Sequence, residues 1–179
     1  MKKIFLLFFV FYYCNLFSQT NFIYVDFNNM VNRNTVVAEV QKTVQTCDGN
    51  FIGYISNGDN PEIEDKKNDF KQKLEEAKNI VNSGKVRYFS EIDTMLFLLN
   101  SIDTKNEIMI YEFVSSEDLK ERNKLFTNRL LMCMNWKNKN GIDSNIKIIY
   151  KIFKSKDFDE IEFLKFKNLN NKYIIELID

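Results

Sequence analysis

The residues with most chemical promise are acids and hydroxyls placed where apolar strands should end. Phe22 to Phe27 is nearly continuous apolar sequence, interrupted only by Asp26, and Asn28 follows it. An acid there could hold a cation or a polar ligand. It could equally accept backbone N–H bonds from its own turn, as Asp and Asn often do. Ser90 opens Ser90-Glu91-Ile92-Asp93, which has the pattern of a capping box at the start of a strongly apolar helix. Ser115 and Ser116 close another apolar run, Ile108 to Val114. With no histidine in the chain, Ser-His-Asp and Cys-His catalysis are excluded, as are zinc sites with imidazole ligands. Carboxylate, lysine or tyrosine chemistry stays open. Asn57-Gly58-Asp59 follows a strand but lacks the spaced glycines and the lysine of a phosphate loop. No cofactor is implied.

The elements that must position these residues follow from periodicity. Val37, Val40 and Val44 predict a helix over Asn34 to Thr46, ended by Asp48-Gly49. Asn50 to Ser56 predicts a second strand, and Asn57 to Pro61 a loop. Phe70, Leu74, Ala77 and Val81 predict an amphipathic helix over Asp65 to Asn82. A short strand at Val86 to Phe89 and the Ser90 helix come next, then the strand Ile108 to Val114 and a long helix to about Trp136. Ile146 to Phe153 predicts another strand. A helix capped by Asp157 and Glu160, with Phe158, Ile161 and Leu164 facing inward, leads to a last strand, Tyr173 to Ile178. Such alternation predicts an α/β fold: a doubly wound, mostly parallel sheet with helices on both faces. Ligands of such sheets gather beyond the carboxyl ends of the strands. The binding rim expected here is therefore Asp26, Asn28, Ser90 and Ser115.

The first residues read as an export signal. Lys2 and Lys3 precede an uncharged apolar run, Ile4 to Tyr13, and a polar stretch from Cys14 to Thr20. That is the layout of a secretory signal peptide. The run is shorter than the roughly 20 apolar residues a spanning helix needs. Cleavage is expected after Ser18, leaving residues 19–179 as one domain. The expected location is periplasmic or extracellular, with no membrane span in the mature chain. About 160 residues are enough for a substantial core. Lys+Arg and Asp+Glu are each 25, so no broad cationic field exists and nucleic acid is not an expected partner. Cys47 and Cys133 both fall on apolar helix faces. Outside the cytoplasm they could form a disulfide, and two buried thiols are an equally physical picture.

The element order and several local patterns resemble the von Willebrand factor A domain. That family has an apolar strand ending in Asp-x-Ser-x-Ser, a Thr-bearing turn before an apolar helix, and a later strand ending in Thr-Asp-Gly. Asp26 matches the first acid, and Asn28 and Met30 stand at the two serine positions. Ser90 stands at the threonine, and the third motif would fall near Val114-Ser115-Ser116 without its acid. The family's metal needs hard oxygen ligands, and Met30 offers a thioether. Asp26, Asn28 and Ser90 are the remaining weak metal candidates. The resemblance implies a degenerate metal site and a protein partner bound without the cation. Such a module should expose a small apolar or aromatic patch near Asn28 to Asn34 and Asn57 to Glu62. A histidine-free carboxylate-dependent hydrolase would instead need a pocket holding Asp26 and a second acid or a lysine. An accessory subunit of a cell-envelope complex is the third expectation.

Overall fold

The computed structural model describes residues 19–27, 29–56, 62–80, 107–123, 146–171 and 173–179. Strand β1, Thr20–Asp26, is buried along its whole length, as a strand covered on both faces must be. Asn32 caps helix α1, Arg33–Thr46, its side chain accepting from the Thr35 N–H at 3.2 Å. Val36, Val37, Val40 and Val44 form the buried stripe. Gly49 then turns the chain at φ +82, where a Cβ would collide with the Gln19 carbonyl. Strand β2, Asn50–Ser56, follows at the predicted bounds.

A short strand that periodicity did not predict comes next: β3, Glu62–Glu64, antiparallel to β2. Three residues are too few to show alternation. Helix α2, Lys67–Ala77, buries Phe70, Leu74 and Ala77. It packs so close to β2 that a Cβ at Gly53 would strike the Phe70 ring. Strand β4, Ile108–Ser115, runs into a 3-10 turn, Ser116–Asp118, and helical residues 119–123. Strand β5, Ile146–Phe153, helix α3, Glu160–Leu169, and strand β6, Ile174–Ile178, complete the described chain.

The sheet has six strands in the order β3-β2-β1-β4-β5-β6. All neighbouring pairs are parallel except β2 with β3. The chain winds outward from β1 in one direction and from β4 in the other. The doubly wound expectation is met, and the switch point lies between β1 and β4. Side chains alternate across the sheet into two core layers. One joins Ile23, Val25, Phe51 and Ile55 to the apolar faces of α1 and α2. The other joins Phe22, Tyr24, Tyr54, Ile110, Val114 and Tyr150 to Leu119 and to Phe166 of α3.

Helix α3 corrects two expectations. Its cap is Asp159, whose carboxylate accepts from the N–H groups of Ile161 at 2.9 Å and Glu162 at 3.1 Å. Its buried residue is Phe166, edge-on to Tyr150 at 5.0 Å, while Ile161 is 77% exposed. The sequence offers two apolar stripes, Ile161 with Leu164 and Phe163 with Phe166. The position of the ring of Tyr150 selected the second. The predicted elements at Val86 to Phe89, at Ser90 and from residue 124 to Trp136 lie outside the described residues.

Candidate functional site at the strand ends

Residues along a strand share a face at every second position. Asp26 therefore lies on the same face as Tyr24, and Glu112 on the same face as Val114. Because Tyr24 is in register with Glu112 on the neighbouring strand, both acids enter one layer beside the switch point. Burying carboxylates is costly unless a cation and hydrogen bonds accompany them. The chain supplies the cation itself. The helical turn after β4 carries Arg122, whose guanidinium reaches Asp26 Oδ2 at 3.3 Å and Glu112 Oε2 at 3.6 Å. Both carboxylate side chains are 0% exposed and that of Arg122 is 8% exposed. The guanidinium lies 6.0 Å from the centre of the Tyr24 ring, which stacks on Tyr54 at 5.3 Å. The ring face adds a weaker attraction for the cation.

Above this cluster the loops are tied to one another. Asn29 takes a left-handed conformation, φ 57, and its amide donates to Asp118 Oδ1 at 2.7 Å, joining the β1 loop to the turn after β4. Ser115 Oγ accepts from the Glu117 N–H at 3.2 Å and so caps that turn. Ser116 Oγ accepts from the Ser155 N–H at 2.8 Å, linking the turn to the end of β5. Arg33 donates to the Phe27 carbonyl at 3.2 Å and to the Lys78 carbonyl at 3.2 Å, and also bonds the carbonyl of Ile80. It thereby neutralises the partial negative end of α2. Burial lowers the Arg33 pKa from its ordinary value. Around it, Val31 and Ile80 are exposed.

Of the residues expected to form the rim, the structure brings Asp26 and Ser115 to the carboxyl ends of adjacent strands. It commits both: Asp26 to Arg122, and Ser115 to its own turn. Asn28 and Ser90 lie outside the described residues. Met30 packs into the opposite core layer from Asp26 and could not share a ligand with it. Cys47 is buried, its thiol donating to the Thr43 carbonyl at 3.2 Å. Cys133 lies outside the described residues, and so does any bridge to it. Among the described residues no group of three or more His, Cys, Asp or Glu is placed to hold a metal ion. With Arg122 seated against Asp26 and Glu112, the residues present do not fit a divalent cation there, because like charges would meet at close range.

Sequence reasoning missed Glu112, Arg122, Asn29 and Asp118. A signal for Glu112 existed. It is the one charge inside Ile108 to Val114, just as Asp26 is the one charge in its own strand.

A second charged cluster sits on the other face of the sheet. Lys151 Nζ lies 2.5 Å from Glu39 Oε1 and 3.0 Å from Glu176 Oε2. Burial pushes the Lys151 ammonium down, but its hydrogen bonds to Glu39 and Glu176 outweigh this and raise its pKa above the ordinary value. The same hydrogen bond holds the Glu39 carboxyl below the ordinary range.

No protein-family model matches the sequence, and no curated protein does. Among solved structures, the chain is similar to the SpRpn10 VWA domain at 12% identity and a TM-score of 0.49, over 90% of this chain and 88% of that one. It is also similar to an aerotolerance-related membrane protein from Bacteroides fragilis NCTC 9343 carrying multiple mutations to serines. There the identity is 11% and the TM-score 0.48, over 89% of this chain and 91% of that one.

Proposed function

We propose that this chain is an exported protein-binding module that engages its partner at the strand-end rim by direct side-chain contact, with no bridging divalent cation. The observation that carries the reading is Arg122, an internal cation seated between Asp26 and Glu112 at the switch point of the sheet. The position where such sheets hold ligands is thereby filled from within. What is left to face a partner is the loop surface above it, where Val31 and Ile80 expose apolar area beside Arg33. Val31 lies in the β1 loop, one of the two stretches where such a patch is expected. The companion stretch at residues 57–61 lies outside the described residues. The sequence resemblance to the von Willebrand factor A domain also supports a protein partner. The hydrolase reading is weaker, because Asp26 is fully buried and paired with Arg122.

The test is site-specific photocrosslinking in the producing cell's envelope. A photoreactive residue at Val31 should yield one discrete adduct, unchanged by a chelator. The same residue at Gln72, on the exposed side of α2, should yield none. Loss of the Val31 adduct on chelation, or calorimetric binding of Mg²⁺ to the native protein with Asp26 required, would overturn the reading. Export is checked by N-terminal sequencing of the mature protein, which should begin at Gln19.

A further inference from the structure

The two margins of the sheet are built differently. β3 has three residues, two of them glutamates, the short charged form that blunts an edge against further pairing. β6 reads Ile-Ile-Glu-Leu-Ile. It contains no proline, and among the described residues no strand pairs with its outer side. The Ile178 carbonyl accepts from the Lys154 N–H at 2.9 Å, so Ile178 turns its backbone toward β5. Ile174 and Glu176 turn the same way. Ile175 and Leu177, alternating with them, direct their N–H and C=O groups outward.

The side chains say what strand would suit that edge. On one face stand Ile174, 53% exposed, then Glu176, its side chain 48% exposed, then Ile178. From the inner side β5 meets them in register with Ile149, Lys151 and Phe153. The complement already chosen by the fold is thus apolar, lysine, apolar at alternate positions. Lys151 is shared between two carboxylates, Glu39 and Glu176. One ammonium for two acids leaves the outer side of Glu176 attractive to a second cation.

We propose that the outer edge of β6, unpaired among the described residues, is a docking site for an extended segment of a protein partner, with an apolar residue, Lys or Arg, and an apolar residue at alternate positions. Its main chain would bond Ile175 and Leu177, and its cation would face Glu176. Main-chain bonds supply affinity in this mode, and the alternate side chains supply specificity. An opposite-charge pair directly across strands is favourable and a like-charge pair is not. The site is separate from the rim, so either can fail alone.

The probe is a solubilised peptide copying Lys147–Phe153, with a control carrying Glu at the position of Lys151. Each is titrated into the ¹⁵N-labelled protein. The lysine peptide should shift the amides of Ile175 and Leu177 and bind about two- to thirtyfold more tightly than the control, the range expected for one favourable cross-strand charge pair against one unfavourable pair. Glu176→Lys should reverse the preference. Leu177→Pro removes an outward donor at an edge position where proline is tolerated, and should abolish binding of both peptides with the circular dichroism unchanged. Absence of binding by either peptide, equal affinity for the two, or shifts confined to another surface would overturn the proposal. So would self-association of the protein that Leu177→Pro abolishes, since the occupant would then be a second copy.

Discussion

Among the described residues, two clusters each set one cation between two carboxylates, and they differ in depth. Asp26, Arg122 and Glu112 are sealed within a core layer beside the switch point. Glu39, Lys151 and Glu176 lie on the opposite face, where Lys151 is nearly buried but Glu176 is half exposed. In the open cluster Glu176 can lose its partner and turn to water. In the sealed one neither carboxylate can, so the three groups stand or fall together. The cation types agree with this. The planar guanidinium of Arg122 reaches two carboxylates through different nitrogens, as suits a buried ion cluster. The lysine is a flexible point charge near the surface.

The sharpest way to break the comparison is to delete each cation. Arg122→Met should destabilise the protein by about 3–5 kcal/mol, the loss expected when buried charge is left uncompensated. The measurement is urea denaturation. Adding Asp26→Asn and Glu112→Gln should recover part of the loss, and a triple variant no more stable than the single one would show the cluster is not electrostatically coupled. Lys151→Met should cost less, about 1.5–3 kcal/mol for hydrogen bonds to charged partners. Equal losses for the two variants would mean depth is not what separates the clusters.

The open cluster should also carry a pH signature. Glu39 has a lowered pKa and Lys151 a raised one. Their contribution is therefore complete between the ordinary values of 4.5 and 10.5. It is lost as pH falls through the lowered Glu39 value, and again as pH rises through the raised Lys151 value. Stability measured against pH should flatten at both ends in Lys151→Met relative to the native chain. The smallest effect on stability belongs to the rim. Val31→Asp should change it by no more than about 0.5 kcal/mol, as exposed substitutions do, while removing partner binding at the rim.

Much of the architecture was legible in the chain. Strand β2 fell at its predicted bounds because Asn50 to Ser56 is an apolar run between strong turn signals. The valines of α1 announced its buried face in the same way. β3 was not legible, since its pairing with β2 is not written in its own three residues. The face of α3 was ambiguous for a related reason. Both stripes are apolar, and only the ring of Tyr150 on another element distinguishes them. At the site, Asp26 stood out as a charge in an apolar run. Its partner did not, because Arg122 lies 96 residues further along and nothing local marks it as buried.

By itself the sequence determined the alternation of strand and helix, and with it a mostly parallel sheet whose strands end in polar residues such as Asp26 and Ser115. Periodicity and turn residues act over a few positions, so a one-dimensional reading recovers them. Only the tertiary structure decided that the strand ends beside the switch point are filled by the chain's own guanidinium, that Met30 turns into the other layer, and that β3 is a short charged edge while the outer side of β6 is unpaired among the described residues. Each depends on residues distant in the chain meeting across the sheet. Pairing energy and burial act there through space, and no local pattern records them.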